Sequence, residues 1–173
     1  MAHQKIISEW KKNIFKPFYW LEGEEEYFIK SDKIKAKKML GLNLNKKYII
    51  YIGRIKTTKG IKELLESMKE INAELLLMGQ GQDSKKYEDY AEKIGVTNCK
   101  FLGQVYGTKK LDYLTASDCL ILPSHTEGAP VVIMEAIAKN LPVVVSDVGG
   151  VRRMIKNNRE GIIIQPKSKE EIE

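Results

Sequence analysis

The sequence predicts an α/β fold: a doubly wound, mostly parallel sheet of six strands with helices on both faces. Two observations carry this expectation. Short, continuously apolar, β-branched runs recur along the chain, the pattern of strands buried on both faces of a parallel sheet. Between them, apolar residues repeat at helical spacing, so strand and helix alternate every 20–25 residues or so, roughly the rhythm of βαβ units with right-handed crossovers.

Residues 1–45 stand apart as an N-terminal segment. Trp10, Phe15, Phe18, Tyr19 and Trp20 give an aromatic stretch without a clean period, and Glu22-Gly23-Glu24-Glu25-Glu26 reads as a charged turn. Ser31-Asp32 is an N-cap signal for a helix through Ile34, Ala36, Lys37, Met39 and Leu40 that Gly41 ends.

Residues 46–173 carry the regular pattern. Tyr48-Ile49-Ile50-Tyr51-Ile52 is the first strand, followed by the turn from Gly53 to Gly60 and a helix marked by Ile61, Leu64, Leu65 and Met68. Ala73 to Met78 is the second strand, closed by Gly79-Gln80-Gly81, and Tyr87, Tyr90, Ala91 and Ile94 mark a helix stopped at Gly95. Cys99 to Leu102 is the third strand, ending in Gly103-Gln104-Val105, and Leu111, Leu114 and Ala116 place the next helix.

The fourth strand, Cys119 to Leu122, leads into a polar turn, Ser124-His125-Thr126-Glu127-Gly128-Ala129, and then a helix with Pro130 at its first position. Pro142 to Val145 is the fifth strand, with Asp147-Val148-Gly149-Gly150 beyond it and a short helix over Val151, Met154 and Ile155. Gly161 to Ile164 is the sixth. Ser168-Lys169-Glu170-Glu171 reads as a capping box opening one more helix. A helix opening so close to the last residue leads to the expectation that the chain is a fragment of something longer.

Composition narrows the function classes. With 30% charged and 43% hydrophobic residues, the chain reads as an ordinary soluble globular protein. No apolar run approaches the ~18–20 residues of a membrane span, and the first residues lack a signal-peptide core. Cys99 and Cys119 are read as small buried hydrophobes in a reducing, cytoplasmic protein. The net charge of +6 suits an anionic partner. The lysines from Lys30 to Lys38 and Lys46-Lys47 read as solvated positions, and no basic stripe with interleaved aromatics appears, which argues against nucleic acid. His3 and His125 are the only histidines, so no metal site is expected.

The distinctive polar residues and glycines collect after strands: Gly53-Arg54 to Lys59, Gly79 to Gly81, Gly103 to Val105, Glu127 to Pro130 and Asp147 to Gly150. In a doubly wound sheet these loops share the carboxyl edge, where ligands bind. Glycines there permit close backbone approach and helix N-termini offer N–H groups to an anion. Arg54 and Lys59 would face a diphosphate. The connections of the opposite edge, Asn72, Lys139-Asn140 and Asn157-Asn158, are plainer. Gly79-Gln80-Gly81 is half of a dinucleotide fingerprint, but position 84 is Ser, which disfavours an NAD-dependent oxidoreductase. Gly107-Thr108-Lys109-Lys110 lacks the flanking glycines of a P-loop.

From about Tyr48 to Pro166 the chain resembles the C-terminal, nucleotide-sugar-binding domain of glycosyltransferase family 4, the large group 1 family of retaining enzymes with the GT-B fold. Four segments carry the likeness: Gly53-Arg54 with Lys59-Gly60; Phe101-Leu102-Gly103-Gln104-Val105; the E-x7-E pattern of Glu127 and Glu135 with Leu141-Pro142-Val143-Val144 after it; and Asp147-Val148-Gly149-Gly150.

The resemblance implies a Rossmann-like donor domain that transfers a sugar, with retained configuration, from a UDP- or GDP-sugar to a saccharide or lipid-linked acceptor, as in polysaccharide biosynthesis. It implies that Glu127 accepts hydrogen bonds from the donor sugar, while Gly128, Ala129, Val131 and Val132 offer backbone N–H groups beside Pro130, which has none. Glu135 would hold the ribose hydroxyls. Arg54 and Lys59, with Gly53 before them, would bind and stabilise the leaving diphosphate in place of a metal. Gly103, Gln104 and Val105 would line the base pocket. No cofactor is implied.

Two departures stand out: Arg152-Arg153 where the family often has Pro-Glu, adding charge near the phosphate site, and Asn140 where it usually has glycine. The resemblance also implies a second, N-terminal domain that carries the acceptor site, with residues 1–45 containing the interdomain linker and the parent protein peripheral at a membrane. The 173 residues alone would then bind donor nucleotide weakly and without turnover. The alternative is a non-catalytic nucleotide-sugar-binding subunit of a split enzyme.

Overall fold

The computed structural model describes residues 24–155 and 161–173. The six apolar runs form the six strands of one parallel sheet: β1 (Tyr48–Ile52), β2 (Glu74–Met78), β3 (Cys99–Gly103), β4 (Cys119–Leu122), β5 (Val143–Ser146) and β6 (Gly161–Ile164). Their order, β3-β2-β1-β4-β5-β6, is that of a doubly wound, Rossmann-like sheet, and it reverses between β1 and β4. Ile50, Leu75, Leu76, Leu77, Leu120, Val143 and Val145 have no solvent exposure. Each such side chain contributes about 1.5–3 kcal/mol by leaving water, so the sheet is the core. Between β2 and β3 the register slips at Leu77/Met78, where Met78 pairs with Gly103 and Leu102 is passed over.

The helices are α1 (Glu24–Met39), α2 (Ile61–Ser67), α3 (Ser84–Lys93), α4 (Gly107–Ala116), α5 (Val131–Ala138), α6 (Val151–Met154) and α7 (Lys169–Ile172), with a 3₁₀ turn at Thr57–Lys59 before α2. They pack in two sets, α1 with α4 and α2 with α3 and α7. With right-handed crossovers on either side of the reversal, this places helices on both faces.

Strand positions follow the sequence closely, and three local readings are corrected. The helix expected to start at Ser31-Asp32 starts at Glu24, so these residues lie inside α1 and Glu24 to Glu26 are helical, not a turn. Ser and Asp disfavour a helix interior by only ~0.5 kcal/mol each, which tertiary packing overrides. Pro130 precedes the first helical residue of α5 instead of occupying it, with an extended ψ of 106°. Trp10 to Trp20, the Glu22-Gly23 part of the expected turn and Asn157-Asn158 lie outside the described residues.

The third correction concerns Lys33 and Lys37, whereas Lys35, Lys38, Lys46 and Lys47 are exposed, as expected. Lys33 Nζ donates to Asp118 Oδ1 at 3.0 Å, and Lys37, only 5% exposed, lies 3.8 Å from Asp118 Oδ2 and donates to the Lys46 carbonyl at 2.7 Å. Lys47 Nζ lies 3.8 Å from Asp118 Oδ1. These lysines are gathered around one buried carboxylate at the amino edge of the sheet, where Asp118 Oδ2 also accepts from the Tyr48 N–H at 2.9 Å. Burial lowers the pKa of both Lys33 and Lys37, against the pull of Asp118.

Helix ends obey their signals. Leu42 N–H donates to the Lys37 carbonyl and Gly41 N–H to that of Lys38, the paired bonds of a Schellman close. The same pair closes α5, from Leu141 to Ala136 and from Asn140 to Ile137, with Asn140 left-handed at φ 52°. Asn140 thus performs the turn for which glycine is usual. At α7, Ser168 Oγ accepts from the Glu171 N–H at 3.2 Å, one half of the capping box. The Glu171 carboxylate reaches further back, to the Gln165 N–H.

Candidate functional site

The loops after β1 and β4 meet where the strand order reverses, and they enclose a cavity of about 510 Å³. Ile52 and Leu122, the last residues of the two strands, form its floor, and Gly53, Arg54, Lys56, Thr58 and Lys59 line one side. Thr126, Glu127, Gly128, Pro130 and Val132 line the other. Two segments some seventy residues apart in sequence, roughly a βαβ-plus-crossover span, are thereby joined at the place where doubly wound sheets hold ligands.

Backbone contact between loops explains several glycines. A side chain at Gly60, φ 67°, would lie 1.9 Å from the Pro123 carbonyl, so the helix after β1 can start only by resting on the loop after β4. A side chain at Gly149, φ 55°, would lie 1.9 Å from the Glu127 carbonyl, and Gly150 N–H donates to the Gly128 carbonyl at 2.9 Å. The loop after β5 therefore braces the loop that carries Glu127. Gly79 and Gly81 abut the carbonyls of Gly53 and Ile55, so the half fingerprint supports the neighbouring loop. The expectation that these glycines serve approach to a ligand is corrected to that extent. Gly103 and Gly128 are the ones among the predicted site glycines with open space where a side chain would be.

Glu127 is the most committed group in the cavity. Its Oε1 accepts from Ser124 Oγ at 2.7 Å and lies 2.7 Å from Lys59 Nζ. Ser124 has no exposure, and Lys59 and Glu127 side chains are 17% and 13% exposed, so the pair is largely out of water. Lys59 Nζ also donates to the Thr126 carbonyl at 3.4 Å. Burial and the nearby Glu127 carboxylate push the Tyr51 phenol upward, and its hydroxyl donates to the Arg54 carbonyl at 3.0 Å.

Arg54 is exposed and has no ion-pair partner among the described residues. Three cations, Arg54, Lys56 and Lys59, face one carboxylate, so the cavity carries excess positive charge suited to a polyanion. The Thr58 hydroxyl is buried without a hydrogen-bond partner. His125, read as a hydrogen-bonding loop residue, lies 3.1 Å by Nε2 from Glu63 Oε1, and its backbone N–H donates to the Thr58 carbonyl.

The other sequence-predicted residues do not line this cavity. Ala129 in the turn and Val131, the first residue of α5, are exposed. Gly103, Gln104 and Val105 end β3, two strands outboard of β1, tied to the neighbouring loop by Gly79 N–H donating to the Gly103 carbonyl at 2.8 Å. Glu135, on α5, takes a hydrogen bond from Lys110 Nζ of α4.

Arg152, expected to add charge near the phosphate region, instead spends its guanidinium in a bidentate pair with Asp147. Sequence reasoning missed Ser124, Thr58, Lys56 and Lys110. The first three stood inside segments singled out for the site, whereas Lys110 stood in the Gly107-to-Lys110 run, weighed as a P-loop alone. Among the described residues no group of histidines, cysteines and carboxylates is arranged to hold a metal ion, and no helix is long and apolar enough to cross a membrane.

Comparison with known proteins gives a consistent picture. A family model described as "Glycosyl transferases group 1" matches residues 32–173. An uncharacterized glycosyltransferase of Methanocaldococcus jannaschii is 34% identical over 146 residues, 82% of this chain and 37% of the relative. TuaC of Bacillus subtilis, whose name assigns it provisionally to a glycosyltransferase step of teichuronic acid biosynthesis, is 33% identical over 149 residues, 85% of this chain and 35% of the relative. The chain thus spans about a third of the length of these curated relatives. Among solved structures, the sucrose-phosphate synthase of Thermosynechococcus elongatus superposes with a TM-score of 0.73 at 26% identity, over 80% of this chain and 37% of that one.

Proposed function

Because the chain belongs to the group 1 glycosyl transferases, we propose that it is the donor-binding half of a retaining glycosyltransferase, taking a UDP- or GDP-sugar as donor and passing the sugar to a saccharide or lipid-linked acceptor. The observation that carries this reading is the cavity at the strand-order reversal, which sets Arg54 and Lys59 opposite Glu127.

In this reading the diphosphate lies against Arg54 and Lys59, with Gly53 lining the same side and the start of α5 adding N–H groups from Val131 and Val132. Charge-assisted hydrogen bonds of this kind contribute about 1.5–3 kcal/mol each. They strengthen as the glycosidic bond to phosphorus-bound oxygen breaks and the leaving group gains charge. Lys59, paired with Glu127, turns to the phosphate when donor arrives. The Glu127 carboxylate, still oriented by Ser124, then accepts from the sugar hydroxyls. Glu135 receives the ribose diol, and Gly103, Gln104 and Val105 form the base pocket through their backbone. No metal or other cofactor is needed, because the two cations do the work of charge neutralisation.

The chain's share of its relatives' length supports assigning acceptor recognition to a second domain outside these 173 residues, in a parent that works in the cytoplasm, peripheral to a membrane. The same share supports a second reading, a nucleotide-sugar-binding subunit of a split enzyme. Calorimetry with UDP, GDP and NAD tests the donor site: one nucleoside diphosphate binds and NAD does not. Glu135→Ala weakens that binding about tenfold, the loss of one charge-assisted bond. Binding of NAD alone would overturn the reading. Sequencing the gene upstream of Met1 separates the two readings, since a continuous reading frame encoding another α/β domain fits the first and a second, separate polypeptide fits the split enzyme.

A further inference from the structure

Lys110 lies at a junction that the proposed donor site leaves unassigned. Its Nζ donates to Glu135 Oε1 at 2.5 Å, with both side chains only about a quarter exposed, at 26% and 28%. Lys110 belongs to α4, which opens directly after the Gly103-Gln104-Val105 loop, whereas Glu135 belongs to α5, which opens after the Glu127 loop. The ion pair thus ties the element that follows the base-pocket loop to the one that carries the ribose carboxylate. The base-pocket side is itself ordered: Tyr106, one helical turn before Lys110, donates its hydroxyl to Gln104 Oε1 at 2.8 Å.

We propose that Lys110 is a positioning residue that makes the site select ribonucleotides over deoxyribonucleotides by fixing Glu135 as the acceptor for a vicinal diol. A carboxylate offers about four acceptor positions, so Lys110 occupies one and sets the plane of the group while the others remain for two hydroxyls. Left without Lys110, a long Glu side chain on an exposed helix flank spreads over several rotamers, and ordering it again on binding costs side-chain entropy. The gain from Lys110 is therefore realised through the diol alone, and a nucleotide that lacks one hydroxyl forfeits most of it. The proposal rests on the reading of Glu135 as the ribose holder, and its test separates the two.

The experiment is titration calorimetry of UDP, GDP and their 2′-deoxy counterparts against the wild-type chain, Lys110→Met, Lys110→Arg, Glu135→Gln and the double variant Lys110→Met/Glu135→Gln, each checked for folding by thermal unfolding. The wild type favours the ribonucleotide of its preferred base by about tenfold or more, the worth of one charge-assisted bond. Lys110→Met narrows that preference to about threefold or less, Lys110→Arg restores most of it, and the double variant discriminates no less than Glu135→Gln alone. Equal weakening of ribo and deoxy forms by Lys110→Met, or no change in either, overturns the role of Lys110 while leaving the donor site standing. An unchanged preference in Glu135→Gln, or no binding of any of the four nucleotides by wild type, overturns the ribose assignment and Lys110's role with it.

Discussion

One oxygen, Glu127 Oε1, receives both the Ser124 hydroxyl and the Lys59 ammonium, and each partner makes a separable prediction. Ser124→Ala leaves the ammonium as the group that places the carboxylate, costs about 0.5–1.5 kcal/mol of stability, and weakens binding of the whole sugar nucleotide more than that of the bare diphosphate, as parallel titrations would show. Gly149→Ala acts through backbone: a left-handed φ costs an L residue about 1–2 kcal/mol, and the new methyl group displaces the Glu127 carbonyl. We expect a lower urea midpoint and weaker donor binding together, although Gly149 does not line the cavity. Cys119 gives a pH prediction. Its thiol is buried and pushed up from 9 to about 12, so the folded chain keeps its proton where the unfolded chain loses it. The resulting stability is full below pH 9 and is lost as pH rises from 9 to 12. The margin of wild type over Cys119→Ala, followed by urea unfolding, should shrink across that window. Among single residues, Glu127, Arg54 and Lys59 could be picked out from their position after strand ends. Ser124 and Lys110 could not, because a hydroxyl or an ammonium acquires meaning from the group it meets, and Lys110 meets Glu135 across 25 positions of chain.

Asp118 shows what governs an element. It anchors α1 through Lys33 and Lys37, holds the Tyr48 N–H at the start of β1, and stands at the head of β4. Replacing it with Ala leaves buried ammonium groups without their counter-charge, a change that typically costs about 3–5 kcal/mol. We expect Asp118→Ala to lose helical circular dichroism as α1 detaches, and to lower the thermal midpoint far more than Asp147→Ala, whose pair with Arg152 is exposed. The same network explains why α1 was misjudged from sequence. Lys33 and Lys37 read as solvated because their partner lies 85 residues from Lys33, and the helix start is hidden by a Ser-Asp pair that reads as a cap only when nothing outside the helix overrides it. The Gly41 stop, by contrast, is a purely local device and was legible.

At the scale of the molecule, a ligand that binds only the folded chain stabilises it by mass action. A nucleoside diphosphate at a hundred times its Kd adds about 2.7 kcal/mol, which for a domain of this size raises Tm by roughly 5–11 °C, taking about 2–4 °C per kcal/mol. The shift should shrink between 50 and 500 mM salt, because the cavity cations that attract the diphosphate are screened, and Arg54→Met should reduce both the shift and its salt dependence. The strand count, class and carboxyl-edge clustering were legible because buried parallel strands leave continuous apolar runs whatever their neighbours. The strand order was not legible, because right-handed crossovers are compatible with more than one doubly wound order. The partition of the loops was not legible: which glycines face a ligand and which face another loop depends on the spacing of β1 and β4 in three dimensions.

The slip in pairing between β2 and β3 has a consequence for life at high concentration. β3 borders the sheet, and a bordering strand offers its unused N–H and C=O groups to any other polypeptide that can lie alongside. Here that strand is five residues long, carries Lys100 as its second residue, and loses step with its neighbour before it ends. A second molecule trying to extend the sheet would find only a short, charged, bent rail, so the chain resists self-templated stacking at this border. Lys100→Val, which removes the charge and leaves the bend, should bring the onset of aggregation to lower protein concentration in light scattering while leaving nucleotide affinity unchanged.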